Sequence, residues 1–417
     1  MKIGSFAKRH NITVDTIRHY MTLDLLLPIK IRGQYDFDEN CEKDILETQA
    51  LKEGGFTLRE IQSLLLISRM GKHTDFTRTQ AYHQFYSAKY DWVNLEIARL
   101  TQIKQRIEQK LEPSNIKMAT YETRGVPLRA IEYLKCPKCH QPLKMLDGKL
   151  ENHHVTSGEL SCTCGKGFKI VNGILMDPQN ENVTHDENVT HDTEVIDEAS
   201  HFLKYLMNYL QDTDYGYIKN VVSGMDWLRK QRTFAYEIAL ELGTGSGFFL
   251  RYFLDILPES GLYFAVDYDY KRLMALKTVL QEIPNGPNLV FVCCDFSNIP
   301  LGEETVDCLI DYAGSSNYAF DHSSFLLEKM VPLLKKEANW VGSYILFENF
   351  KKESLVPPEH QYLFKEREVT ALLDRFGFSI SDKFITDVVA KGGPGENYFV
   401  SGEKVYGMSA YGTYHKS

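Results

Sequence analysis

The 417-residue chain has no apolar run long enough to cross a bilayer, and its first residues lack the charged-then-apolar pattern of a secretory leader. These absences exclude membrane-spanning helices and set the expectation of a cytoplasmic protein. A positive excess is also missing. Lys and Arg number 47 against 56 Asp and Glu, a formal net charge of −9, so the surface as a whole does not attract nucleic acid and any such contact must be local. Eight cysteines are too few for a disulfide scaffold of this length, and in a cytosolic chain a paired cluster of them favours metal. What is present is ordinary globular protein, 43% hydrophobic and 25% charged, and too long for one core.

Local basic charge stands at the very start. Over residues 1–32, six basic residues (Lys2, Lys8, Arg9, Arg18, Lys30, Arg32) face only Asp15 and Asp24. Ile3, Phe6 and Ala7 recur at helical spacing, and Asn11 breaks the run. Thr13 is placed to cap a second helix, about Val14 to Leu23, with Asp15 in its first turn. That helix buries Val14, Ile17 and Met21 and turns Arg18 and His19 outward. Two short helices with a tight turn make a helix-turn-helix. Gly33 then allows a two-stranded wing carrying Lys30, Arg32 and Tyr35. Asp38 caps a third helix ending at Gly54-Gly55, and Thr57-Leu-Arg-Glu60 is a capping box for a fourth.

Over residues 1–70 the wording (KIGSFAKR, TVDTIRHY, the leucine–proline junction, the tyrosine wing, GGFTLREIQSLL) resembles the MerR family of winged-helix regulators. The resemblance implies that Arg18, His19, Tyr20, Arg32 and Tyr35 contact double-stranded promoter DNA. Two positions depart from the family pattern: His19 replaces a second tyrosine, and Asp36 replaces an arginine after the wing tyrosine, where it is expected to repel phosphate. The family also implies a homodimer through a long helix after the head. Residues 86–112, within a segment 71–116, fit that role, because Val93, Ile97, Leu100, Ile103, Ile107 and Leu111 recur at three- and four-residue steps among charged residues.

Cys136-Pro-Lys-Cys139 and Cys162-Thr-Cys164 are separated by 22 residues. Four thiolates in two knuckles suit tetrahedral Zn2+, which folds segments too small for a core of their own. The second pair is unusually close, which leaves His140, His153 and His154 as alternative ligands. Residues 117–178 read as a zinc ribbon, and the roughly forty of them around the two knuckles resemble the ribbons that precede some methyltransferase domains, including those of rRNA guanine methyltransferases. Residues 179–199 read as an exposed linker in which ENVTHD occurs twice in tandem.

From residue 200 to 417, apolar strands alternate with helices: 236–242 runs into the glycine loop, and the others end at or near an acid, 262–266 before Asp267, 289–293 near Asp295, 306–310 before Asp311, and 342–347 before Glu348. This pattern predicts a doubly wound, mostly parallel, Rossmann-like α/β sheet with ligands beyond the strands' carboxyl ends. Gly243, Gly245 and Gly247 let the backbone approach a ligand and turn into a helix. Asp267, 20 residues after Gly247, is placed for ribose hydroxyls. Glu241 before the loop disfavours pyrophosphate and suits a cationic ligand. The pattern resembles class I S-adenosylmethionine-dependent methyltransferases. By that resemblance Glu241 and the three glycines line the methionine side, Asp267 holds the ribose, Asp295 and Phe296 meet the adenine, and Asp311, Tyr312 and Asn317 face the reacting methyl. Where many members have a proline–glycine pair before the fifth strand, this chain has Lys335-Lys-Glu-Ala-Asn-Trp-Val-Gly342. Gly392-Gly-Pro-Gly395 reads as a hairpin connection.

Taken whole, the sequence predicts a multidomain protein: an all-α winged helix-turn-helix head with a dimer helix, a small β zinc ribbon, and an α/β methyltransferase domain. The expected function is a transcriptional regulator that senses or methylates a small molecule. Two alternatives stay open: a domain that binds S-adenosylmethionine without catalysis, and an RNA methyltransferase with an autoregulatory head.

Overall fold

The computed structural model describes residues 1–70, 75–111, 125–180, 203–204, 206–231, 234–281, 283, 286–391 and 399–416. The chain forms two units, Met1–Lys117 and Met118–Ser417.

In the first unit, α1 (Ile3–Arg9) and α2 (Val14–Thr22) are separated by Asn11 at φ 52°. The Thr13 hydroxyl accepts the Thr16 N–H at 3.0 Å, a cap worth about 1 kcal/mol. β1 (Ile29–Ile31) and β2 (Gln34–Asp36) form the antiparallel wing. Arg32 and Gly33, both at positive φ, supply its two-residue turn. Asp38 caps α3 (Glu39–Glu53), and the reciprocal Thr57–Glu60 box starts α4 (Leu58–Arg69). Phe6, Ile17, Leu25, Ile45, Ile61 and Leu64 are fully buried in one small core. α5 runs Asp75–Leu111, longer than the sequence pattern indicates.

The second unit is built on one 12-stranded sheet. Its first strands are β3 (Val126–Pro127), β4 (Lys144–Glu151), β5 (His154–Ser161), β6 (Gly167–Val171) and β7 (Ile174–Met176). There follow α6 (Tyr215–Gln231), β8 (Ile238–Leu242), α7 (Phe248–Phe253), β9 (Leu262–Asp267), α8 (Tyr270–Gln281) and β10 (Asn288–Cys293). Next come β11 (Val306–Tyr312), α9 (Gly314–Asp321), α10 (Leu326–Met330) and β12 (Leu334–Asn349), and the chain closes with α11 (Glu366–Arg375), β13 (Phe378–Ile385) and β14 (Lys404–Tyr414). The order is β13-β14-β12-β11-β8-β9-β10-β7-β6-β5-β3, with β4 paired to β5. Every residue of β8 and β9 is buried, as in strands covered on both faces. The chain runs from β8 to β9 and β10 on one side and then crosses back from β10 to β11 on the other side of β8, so a switch point opens between β8 and β11, where open α/β sheets bind ligands.

The ribbon is not a separate body, as the sequence boundary at residue 178 implies. β7 pairs in parallel with β10 (Leu175 with Val292, Met176 with Cys293) and extends the central sheet. All three β7 residues are buried, and they cover what would otherwise be the open edge of β10. The missing proline–glycine pair is absorbed in β12, which starts at Leu334 and carries Glu337 at φ 62° inside a register shift against β11. Of the linker expected over 179–199, residues 181–199 lie outside the described residues, as does Gly392–Gly395. The strands flanking the latter, β13 and β14, pair antiparallel.

Candidate cofactor cavity, cysteine cluster and DNA-facing head

Above the switch point lies a cavity of about 480 Å³. Glu241, Gly243, Gly245, Asp267, Asp295, Phe296, Tyr312 and Asn317 all line it. Gly243 and Gly245 adopt φ 65° and 51°, a conformation glycine takes at no steric cost. Asp267 is 4% exposed; one oxygen accepts the Gly245 N–H at 2.8 Å and the other the Asp269 N–H at 2.9 Å. Glycine loop and strand-end acid are therefore one hydrogen-bonded unit. Each carboxylate oxygen keeps acceptor capacity beyond these bonds. Burial raises the Asp267 carboxyl above its ordinary range.

Glu241 is 2% exposed and accepts a short hydrogen bond from the Thr244 hydroxyl. Burial pushes its carboxyl up to about 7. An acid held at the edge of ionisation in a cavity is primed to pair with an incoming cation. Asp295 is exposed where it lines the cavity, and its Oδ1 accepts the Ser297 N–H at 2.7 Å. Tyr312 commits its hydroxyl to the Val221 carbonyl at 3.2 Å.

Two expected residues lie elsewhere. Asp311 is 1% exposed and does not line the cavity; its Oδ1 accepts the Ser315 N–H at 2.7 Å and anchors the start of α9. It is a buried helix anchor rather than a group facing the methyl. Gly247 is also absent from the wall. At φ 69° it begins α7, and a Cβ there would lie 2.5 Å from Leu276 Cδ1. Its smallness serves helix packing.

The sequence reading missed an aromatic wall: Tyr209, Tyr217, Phe248, Phe249, Tyr268 and Tyr318. Tyr268 was findable, since a residue directly after a strand-end acid sits at the sheet's tip, and it is 52% exposed. His322 also lines the cavity. Its ring lies parallel to Tyr318 at 3.9 Å, and its Nδ1 is 3.1 Å from the Tyr318 carbonyl.

In the ribbon, the sulfurs of Cys136, Cys139, Cys162 and Cys164 all lie within 4.8 Å of one another. Cys136 and Cys164 approach to 3.5 Å, Cys139 and Cys162 to 3.2 Å. Zn–S bonds of about 2.3 Å set tetrahedral S···S edges near 3.8 Å, so the four thiols fit a zinc ion. No histidine belongs to the cluster among the described residues. The short second knuckle works because Gly165, at φ 88°, turns the chain at once, with its N–H on the Cys162 carbonyl at 2.9 Å. The Cys164 backbone N–H holds the Cys162 thiol down at about 6, which favours the thiolate.

On the head, the Arg18 side chain is 68% exposed and pairs with Asp15 at 3.2 Å. His19 and Arg32 are exposed, and Tyr35 is 45% exposed with the Lys30 ammonium 5.7 Å above its ring. Tyr20 departs from expectation. It is 3% exposed, three residues after Ile17 on the inward face, and its hydroxyl accepts the Lys52 ammonium at 3.2 Å. It belongs to the core. Asp36 is partnered inside the head, its Oδ1 2.7 Å from the Met1 nitrogen. The apolar stripe of α5 is open, with Ile97 57%, Leu100 51% and Ile107 54% exposed.

Residues 1–66 match the family model of the MerR HTH family regulatory protein, and residues 240–338 match that of a methyltransferase domain. Among solved structures the chain is similar to a SAM-dependent methyltransferase from Aquifex aeolicus (19% identity, covering 51% of this chain and 97% of that one, TM-score 0.33). Others are a SAM-dependent methyltransferase from Methanosarcina mazei (13% identity, 45% and 98%, TM-score 0.33) and the magnesium protoporphyrin IX methyltransferase of Synechocystis PCC 6803 with bound SAM (16% identity, 47% and 79%, TM-score 0.31). No curated protein matches. The two family models define a DNA-binding module and an enzyme module in one polypeptide. The chain joins an N-terminal MerR-type helix-turn-helix domain to a C-terminal methyltransferase domain.

Proposed function

We propose that the protein is a dimeric MerR-type regulator whose C-terminal domain binds S-adenosylmethionine and methylates the small molecule it responds to. The observation that carries this reading is the cavity at the switch point, where Glu241, the Gly243–Gly245 backbone, Asp267, Asp295 and Phe296 converge. When bound, the cofactor supplies a methyl group on a sulfonium, which leaves with its bonding electrons staying on sulfur. Glu241 ionises against the ligand's ammonium. Asp267 accepts from ribose hydroxyls while the Gly245 N–H fixes its orientation. Asp295 and Phe296 receive the adenine edge and face.

Asn317 and His322 border the remaining space, with Tyr217, Phe248 and Tyr318 offering flat apolar surfaces. Rings of this kind suit a flat, largely apolar acceptor. Positioning and water exclusion can supply most of the catalysis when the acceptor is already nucleophilic. An RNA acceptor is less well supported, because Lys149, Lys166 and Lys169 of the ribbon pair with Glu151, Asp177 and Glu159. Arg18, His19, Arg32 and Tyr35 offer an exposed contact set for promoter DNA. The open α5 stripe suits an identical helix from a second copy. The four ribbon cysteines would hold zinc as a structural ion.

Calorimetric titration of S-adenosylmethionine, and footprinting of the chain's own promoter with and without it, test the proposal together. Saturable binding and a footprint that changes with cofactor or acceptor are expected. No binding removes the cofactor reading, and binding without methyl transfer to any small molecule or RNA tried leaves a sensor.

A further inference from the structure

The adenine-facing segment 295–301 leaves β10 and is flanked along the chain by contacts that lead to the two cysteine knuckles, at Cys293 before it and at Pro300 and Leu301 at its end. On one side, Leu134 bridges Leu301 and the Lys135 N–H donates to the Pro300 carbonyl at 3.1 Å. The next residue is Cys136. On the other side, Lys166, two residues after Cys164, places its ammonium 2.8 Å from both oxygens of Asp177. That pair is almost fully buried, the side chains 10% and 2% exposed. The Asp177 N–H donates to the Cys293 carbonyl at 3.0 Å, and the Cys294 N–H to the Asp267 carbonyl at 3.1 Å. Three residues on, the Asn180 amide donates to the Tyr268 carbonyl at 2.9 Å. The first knuckle therefore holds the far end of the segment that starts at Asp295, and the second reaches the backbone beside Cys294, Asp267 and Tyr268; all four of these residues line the cavity.

We infer that the cysteine cluster, with zinc bound, is a clamp that sets the adenine end of the cofactor cavity, and that Lys166 is its positioning residue. This rests on the reading of the cavity as an S-adenosylmethionine site. The two knuckles are joined at their bases, where Lys144 pairs with Ser161, but not at their sulfur-bearing tips, so one ion tying the tips together fixes the distance between the contacts that flank residues 295–301. Without that tie, Lys135 keeps its bridge to Pro142 and Gly167 its pairing with Ser161, but the two tips no longer hold each other and the segment they flank loosens. Lys166 carries the second contact through a buried ion pair, whose partner is left uncompensated if the ammonium is removed. Zinc loss or thiol oxidation in the ribbon would then weaken cofactor binding without touching a cofactor contact.

The test uses full-length protein loaded with zinc, the same protein after chelation under reducing conditions, and the zinc-loaded variants Lys166→Met and Lys166→Arg. Two quantities are read: S-adenosylmethionine affinity, and amide hydrogen exchange by segment. Chelation and Lys166→Met are each expected to weaken affinity at least tenfold and to speed exchange over residues 293–301. Exchange over β8 and the Gly243–Gly247 loop stays as it was, and Lys166→Arg restores most of the affinity. Equal affinity with and without zinc overturns the clamp, as does unchanged exchange at 293–301. If Lys166→Met does not fold, the chelation arm still decides. If zinc-loaded protein fails to bind the cofactor at all, the cofactor reading falls, while the exchange comparison, which needs no ligand, still tests the clamp.

Discussion

The head and the methyltransferase unit present charge in opposite ways. Arg18 is two-thirds exposed on a short helix, whereas Glu241 and Asp267 are 2% and 4% exposed at the tips of buried strands. The head's residues keep their water until they meet a phosphate, so their energies in the free protein are small. The acids of the cavity have lost their water and are held by neighbours, so burial raises both of them. A surface that recruits a polyanion is cheap to fold. A cavity that grips a small cation stores its cost in the empty state.

The largest expected effect falls on packing beneath the cavity. Gly247→Ala forces a side chain into left-handed backbone, about 1–2 kcal/mol, and against Leu276, about 1–3 kcal/mol more. Chemical denaturation should show the second unit destabilised by about 2–5 kcal/mol. A loss of only about 1–2 kcal/mol would mean that Leu276 gives way and the backbone strain alone is left. Next comes Asp267→Asn. Replacing a charged acceptor of hydrogen bonds removes about 1.5–3 kcal/mol, so S-adenosylmethionine affinity should fall roughly 10- to 150-fold. The promoter footprint taken without cofactor should be untouched; if it vanishes, the contrast between the regions is false.

Much of this contrast was legible in the sequence, and unevenly so. Caps at Thr13, Asp38 and Thr57 depend on residues within four positions, and each is formed. Strand ends at Asp267 and Asp311 were legible from apolar runs. Their roles were not, because whether an acid faces a cavity or a helix N-terminus depends on how the chain turns after the strand: Ala313 at φ 64° swings α9 back over Asp311. For Tyr20 the role that the family resemblance implies and the helical period conflict, and the period, which puts it beside Ile17 on the inward face, is the one the fold obeys. The joining of ribbon and sheet had no local signal, since Leu175 meets Val292 across more than a hundred residues.

A smaller effect, set by pH, sharpens the comparison. With its carboxyl near 7, Glu241 is mostly protonated at pH 6 and mostly ionised at pH 7.5. A cationic ligand binds the ionised form, so affinity should tighten several-fold over that interval, with proton release seen as a buffer-dependent binding enthalpy. Glu241→Gln should bind weakly and lose this dependence. In the empty protein the sign reverses. The folded state holds the proton more tightly than the unfolded chain, so stability contributed by this group is present below pH 4.5 and lost as pH rises to 7. A pH profile unchanged by Glu241→Gln would assign the proton to another group.

Arg18→Ala should change stability least of all. Its partner Asp15 is 89% exposed and three residues away on the same helix, and pairs of this kind contribute at most about 0.5 kcal/mol. Denaturation midpoints should move by less than that, and cofactor affinity not at all. Yet the footprint should weaken strongly and its salt dependence flatten by about one phosphate contact, because the guanidinium does its work only against DNA. If Arg18→Ala instead lowers stability by about 1 kcal/mol or more, beyond what an exposed pair supplies, the side chain is holding the head together. The exposed surface of α2 would then have to be read as structure, and Arg32 and Tyr35 of the wing would carry the contact with the duplex.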